Sequence, residues 1–251
     1  MISRTANGAM TSCPNCPLRD NEHFRDFDKE QLAFVMAFKS GELRLDAGAT
    51  ILVEGSHSAH LYTILEGSAF RYKMLEDGRR QILNFVMPGD LIGLQSVLMA
   101  EMQHSIEALT PLRLCVFERD RVDEVFRDHP RLAYDVTWIA AREERILDEH
   151  LLSVGRRSAF ERAAYLIAFL HRRATRSGFI RRKPHLLPVT QQHLADTLGL
   201  SVVHTNKTLR KLITRKLIAW RNHGCEVLDA DALSDIAGWP DDEDEMPRPF
   251  I

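Results

Sequence analysis

The sequence predicts an α+β protein: an N-terminal antiparallel β jelly roll, a long dimerisation helix and a C-terminal winged helix-turn-helix. Three observations carry this prediction. Short branched and aromatic runs separated by turn signals fill Gly41 to Phe126, the pattern of an all-β sandwich or roll. A narrow apolar stripe at 3-4 spacing follows, from Arg131 to Val154. Then Thr190 to Thr214, TQQHLADTLGLSVVHTNKTLRKLIT, reads as two short helices around a tight turn. The expected division of the 251 residues is a cysteine-containing leader (1–24), a sensor roll (25–126), the dimer helix (127–155), the helix-turn-helix unit (156–239) and an acidic tail (240–251).

In the roll, strands are expected at Thr50–Val53, Leu61–Leu65, Ala69–Met74, Gln81–Val86 and Arg113–Phe117. Turn signals such as Glu66-Gly67, Glu76-Asp77-Gly78 and Pro88-Gly89-Asp90 separate them. Strands and helices do not alternate here, which argues against a parallel sheet. In the helix that follows, Leu132, Val136, Ile139, Ile146, Leu147, Leu151 and Val154 fall on one stripe. So narrow a stripe suits a two-stranded seam between protomers, with a helix packed on its own β-domain as the alternative.

A helix is expected over Ala159–Arg173 and a strand hairpin over Phe179–Val189. In the helix-turn-helix, Gly199 supplies the turn residue, and the Ser201 hydroxyl can cap the second helix. Leu209, Leu212 and Ile213 face inward, leaving Val203, Asn206, Lys207 and Arg210 on the other side. A β-wing is expected from Leu217–Trp220, the turn Asn222-His223-Gly224 and Glu226–Leu228. The five consecutive acids Asp241–Glu245 read as disordered.

Charge separates the two ends of the chain. Gly155 to His223 holds fifteen Lys or Arg against two acids, Glu161 and Asp196, a net of +13 inside a chain of net −2. Such a patch suits a phosphate backbone, where counterion release supplies much of the affinity. Candidate DNA contacts are Thr190, Gln191, Gln192, Ser201, Val202, Val203, His204, Asn206, Lys207 and Arg210. No apolar run reaches membrane-span length, and the first residues lack a signal-peptide stretch, so a cytoplasmic protein is expected. No nucleophile–base or paired-carboxylate arrangement points to an enzyme.

The succession of modules resembles the Crp/Fnr family of bacterial transcription regulators. GSAFRYKMLEDGRRQILNFVMPGDLIGL is similar to the family's roll strands, Ala141–Ile146 occupies the dimer-helix position, and LADTLGLSVVHTNKTLRKL is similar to its helix-turn-helix. The resemblance implies a homodimer that binds double-stranded DNA and touches RNA polymerase. The cyclic-nucleotide binders of the family carry a Phe-Gly-Glu stretch and an Arg-Ser pair. Leu91-Ile92-Gly93-Leu94-Gln95 and Gln103-His104-Ser105 stand there instead. The ribose-holding acid is missing and His104 replaces the phosphate-holding Arg, so tight cyclic-AMP binding is not expected. The reading helix usually shows Glu, then Ser or Gly, then Arg; Val203, Asn206 and Lys207 take those positions here. Val offers only a thymine methyl contact, Asn suits adenine and Lys suits guanine.

The oxygen-sensing branch of the family holds an iron–sulfur cluster on N-terminal cysteines and one roll cysteine. Cys13 and Cys16 precede the roll, and Cys115 falls where the roll cysteine would be. Three thiolates are one short of the four a [4Fe–4S] cluster takes, with His23 or Glu22 as the imperfect fourth. The effector is therefore unknown: no cofactor, an iron–sulfur or thiol redox switch, or a Cys13–Cys16 disulfide all remain open. A rival of another class is a small-ligand jelly roll whose basic domain contacts RNA or a protein partner.

Overall fold

The computed structural model describes residues 10–180, 184–221, 224–239 and 247–251. After the leader, helix α1 (Lys29–Phe38) starts on a capping box: Asp28 accepts from the Gln31 amide, and the Gln31 side chain accepts from the Asp28 amide. Eight strands follow: β1 (Lys39–Leu45), β2 (Thr50–Leu52), β3 (His60–Glu66), β4 (Ala69–Met74), β5 (Arg80–Val86), β6 (Leu91–Ile92), β7 (Ser105–Ala108) and β8 (Leu112–Glu118), with helix α2 (Leu94–Leu98) after β6. They form two antiparallel four-stranded sheets, ordered β1-β8-β3-β6 and β2-β7-β4-β5. Ile64, Ile106, Leu114 and Met102 lie between the sheets with almost no exposed surface.

Helix α3 (Val122–Asp128) leads into α4 (Pro130–Arg156), whose 27 residues run about 40 Å at 1.5 Å per residue. Helix α5 (Ala159–Arg176) starts on a Ser158/Glu161 capping box and buries ten of its residues. The helix-turn-helix is α6 (Gln191–Leu198) and α7 (Val202–Thr214). The wing pairs β10 (Ile218–Arg221) with β11 (Gly224–Val227); its predicted tip, Asn222 and His223, lies outside the described residues. Helix α8 (Ala230–Ala237) closes the unit between the Asp229 cap and Gly238. Trp239 stacks beneath the Arg172 guanidinium, 3.8 Å from the ring centre.

Two expectations need correction. The hairpin expected over Phe179–Val189 is not seen among the described residues of that stretch. Among these described residues only β9 (Leu186–Leu187) is a strand, and its partner is β11. The Ile180 amide instead returns to the Ala174 carbonyl at the end of α5. In the described part of the leader, Leu18 and Phe24 are buried against the roll. Lys39 Nζ donates to the Thr11 carbonyl at 2.7 Å. Phe250 and Ile251, 3% and 6% exposed, join the same cluster. The acids Asp241–Glu245 lie outside the described residues.

The second correction concerns the α4 stripe, which has four destinations rather than one. Leu132 and Val136 are buried in the cluster formed with Phe38, Phe117 and Val125 of the same protomer. Ile146 belongs to the core built on α5. Ile139 and Leu147 wall a cavity between α4 and the roll. Of the predicted seam, Leu151 and Val154 stay exposed, joined by Leu152 and, one end further, Tyr134.

Candidate nucleic-acid interface

The helix-turn-helix is built from local signals. Thr190 caps α6 by accepting from the His193 amide at 3.1 Å, while its own amide donates to His193 Nδ1 at 3.2 Å. Burial holds His193 below the usual imidazole range, so the ring is neutral and free to accept. Gly199 ends α6 at φ +64°, and its left-handed backbone turns the chain into α7. Ser201 then caps α7, accepting from the His204 amide at 3.2 Å.

Leu209 and Leu212 of α7 are buried against α5 and α6, as are Leu194, Ala195 and Leu198 of α6. Thr205, fully buried, carries a hydroxyl with no hydrogen-bond partner. The opposite face of α7 presents Val203, His204, Lys207 and Arg210 to solvent, with Val202 and Asn206 half-buried beside them. Asn206 Oδ1 is shielded from water and has no partner. Thr190 and Gln192 are exposed at the N-terminus of α6, and Gln191 is half-buried. Gln192 donates to Asp196 at 2.6 Å. Helix α7 contains no acidic residue, so its solvent face is a cationic surface about three turns long.

Helix α6 also grips the roll. Arg80 Nε donates to Asp196 Oδ2 at 2.8 Å, Gln81 Nε2 donates to the Thr197 carbonyl at 2.9 Å, and the Phe70 and His193 rings lie 5.2 Å apart. The predicted strand Gln81–Val86 gave no hint of this role. Further along β5, Asn84 donates to Glu143 of α4, and Arg173 of α5 donates to the Asn84 side chain and the Phe85 carbonyl.

Between α4 and the roll lies a cavity of about 380 Å³ lined by Arg71, Gln95, His104, Ile139, Glu143, Glu144 and Asp148, among others. Burial, reinforced by Arg71 and Lys73, pushes His104 down to about 3. It is neutral and accepts from Arg71 Nε at 3.1 Å. Sequence reasoning found no fixed cation here; the structure supplies Arg71, but its guanidinium is already ion-paired with Glu143. The cavity offers carboxylates where a cyclic phosphate would need cations.

A second cavity, of about 20 Å³ and thus water-sized, lies beneath the leader. Cys13, Cys16 and Cys115 line it with Lys39, Leu65, Phe250 and Ile251. The structure thus brings together three thiols set far apart in sequence. Burial raises all three, Cys115 to about 12, while Lys39 pulls the other way. The suggested fourth ligands, His23 and Glu22, are exposed and line no part of it. Among the described residues no group of three His, Cys, Asp or Glu is placed to hold a metal ion. With three thiols in so small a space, an iron–sulfur cluster does not fit these residues as packed.

A roll set against a long helix and a basic winged helix-turn-helix defines a class, the DNA-binding regulators. Comparison with known proteins identifies the branch. Residues 42–129 match the model of the cyclic nucleotide-binding domain, and residues 161–236 match the Crp-like helix-turn-helix domain. The chain is 31% identical over 234 residues to the nitrogen fixation regulation protein FixK of Bradyrhizobium diazoefficiens, covering 90% of this chain and 93% of that one. It is 33% identical over 178 residues to the transcriptional activatory protein AadR of Rhodopseudomonas palustris, covering 70% and 73%. In fold it is similar to FixK2 from Bradyrhizobium japonicum, with a TM-score of 0.69, 24% identity and coverage of 78% and 96%. The chain belongs to the Crp/Fnr family and is a DNA-binding transcription regulator of that type. Regulators of this family function as dimers. Among the described residues no helix is long and apolar enough to cross a membrane.

Proposed function

We propose that α7 enters the major groove and that Val203, Asn206 and Lys207 read base edges, giving a sequence preference unlike the family's common one. Asn206 carries the reading. It lies half-buried on the cationic face of α7, and a carboxamide that turns outward both donates to and accepts from an adenine edge. Lys207 donates to guanine, and Val203, 67% exposed, meets a thymine methyl. Thr190, Gln191, Gln192, Ser201, Val202, His204 and Arg210 hold the phosphates on either side. Two copies, joined through α4, read paired half-sites. The relatives' names, activatory protein among them, favour activation of transcription through RNA polymerase in the cytoplasm.

Binding selection on random duplexes tests this reading. Asn206→Ala is expected to lose about 1–3 kcal/mol of discrimination at one position per half-site, whereas Arg210→Ala weakens all sequences alike. An unchanged site preference in Asn206→Ala removes that residue from the reading set.

A further inference from the structure

The 247–251 segment is the part of the structure that the sequence foretold least. Arg248 forms a parallel bridge with Phe24: its amide donates to the His23 carbonyl at 3.0 Å, and its carbonyl accepts from the Arg25 amide at 2.8 Å. Its guanidinium donates to Asp90 Oδ1 at 2.8 Å and to the Pro88 carbonyl at 3.0 Å, and lies 4.8 Å from the centre of the Phe24 ring. Phe250 packs edge-on against Phe24 and tilted against Phe27. The Thr63 hydroxyl donates to the Ile251 backbone oxygen. Thr63 is the register partner of Cys115 across β3 and β8, so the segment ends beside the deepest of the three thiols.

We propose that residues 247–251 are an intramolecular strap that closes the cavity holding Cys13, Cys16 and Cys115, latched by Arg248 on Asp90, and that its release opens these thiols to reagents from solution.

Phe250 and Ile251 supply part of the cavity's apolar wall. Removing them would replace a water-sized void by an open groove. The latch is shaped for its partner. Gly89, at φ +85°, has no room for a Cβ, which would stand 2.3 Å from Phe24 and 2.6 Å from the Arg248 guanidinium. The latch also reports to the DNA-binding unit, because Arg173 of α5 holds Asp90 Oδ2 at 2.5 Å. Burial alone would raise the Asp90 carboxyl, but Arg173, Arg248 and Arg142 hold it well below the usual carboxylate range. Loss of Arg248 leaves that buried charge with less compensation. Opening would relieve the burial that keeps the thiols protonated, while Lys39 stays nearby to favour thiolate.

The test uses the full chain, a variant lacking 247–251 and Arg248→Gln. Each is treated with 5,5′-dithiobis(2-nitrobenzoate). Each reacting thiolate forms one mixed disulfide and expels one thionitrobenzoate, and mass mapping identifies the cysteine. Cys225, fully buried in the winged domain, reports global unfolding. The expected result is labelling of Cys13 and Cys16 about tenfold faster or more in the deletion, as for local opening. Cys225 should stay protected, Arg248→Gln should fall between, and the peptide Pro-Arg-Pro-Phe-Ile added in trans should restore slow labelling. Equal rates with and without the segment overturn the proposal. So does acceleration of Cys225 in step with Cys13 and Cys16 in both variants, or failure of the peptide to protect.

Discussion

The two halves of α4 look alike in sequence and do opposite things. In the N-terminal half, Leu132 and Val136 are spent on the protomer's own core. Asp135 pairs with Arg25, and Arg131 with Asp28 at 2.8 Å. In the C-terminal half, Ile146 is drawn into the α5 core and His150 bonds Tyr165 at 2.9 Å, yet Leu151, Leu152 and Val154 face solvent. One apolar stripe therefore serves two surfaces. A helix bound on one side and bare on the other near its end is suited to pairing with a second copy there.

Breaking the first half should have the largest effect. Leu132→Ala is expected to cost about 2–5 kcal/mol of stability, the range for a fully buried leucine. Urea unfolding followed by circular dichroism measures it, and an unchanged midpoint would mean this half is not anchored as described. The second half should yield without unfolding. Leu151→Glu with Leu152→Glu should sediment as a folded monomer of unaltered melting temperature and lose binding to paired half-sites. A wild type that is itself monomeric, with or without DNA, would deny the exposed end its role.

The middle of the helix gives the smallest effect. Glu143 occupies Arg71, so titration of the wild type with cyclic AMP in a calorimeter should give no binding in the micromolar range. Glu143→Gln frees the guanidinium but restores no ribose-holding acid, so a weak gain at most is expected. Micromolar binding by the wild type would show that the carboxylates around the cavity do not exclude the phosphate.

Much of this architecture is written in local chemistry. The Pro88-Gly89-Asp90 turn, the Gly199 turn and the Thr190 and Ser201 caps depend on neighbours a few residues away, and a single chain shows them. Helices α1 and α8 are also bounded by caps, Asp28 with Gln31 and Asp229 with Gly238, but lack a long apolar repeat to draw attention. What escapes a one-dimensional reading is pairing over distance. Nothing near Arg248 signals Asp90, 158 residues away. Arg71 betrays no link to His104 or Glu143, and the thiols meet only because β8 carries Cys115 to the leader. The α4 stripe misleads for the same reason, since spacing shows that a face is apolar but not what will cover it.

Strand β5 touches three helices in seven residues: α6 through Arg80 and Gln81, α4 through Asn84, and α5 through Asn84 and Phe85. Side chains alternate faces along a strand, so inserting or deleting one residue there would turn these contacts to the wrong side. In β5 a single-codon insertion or deletion would leave two folded halves out of alignment.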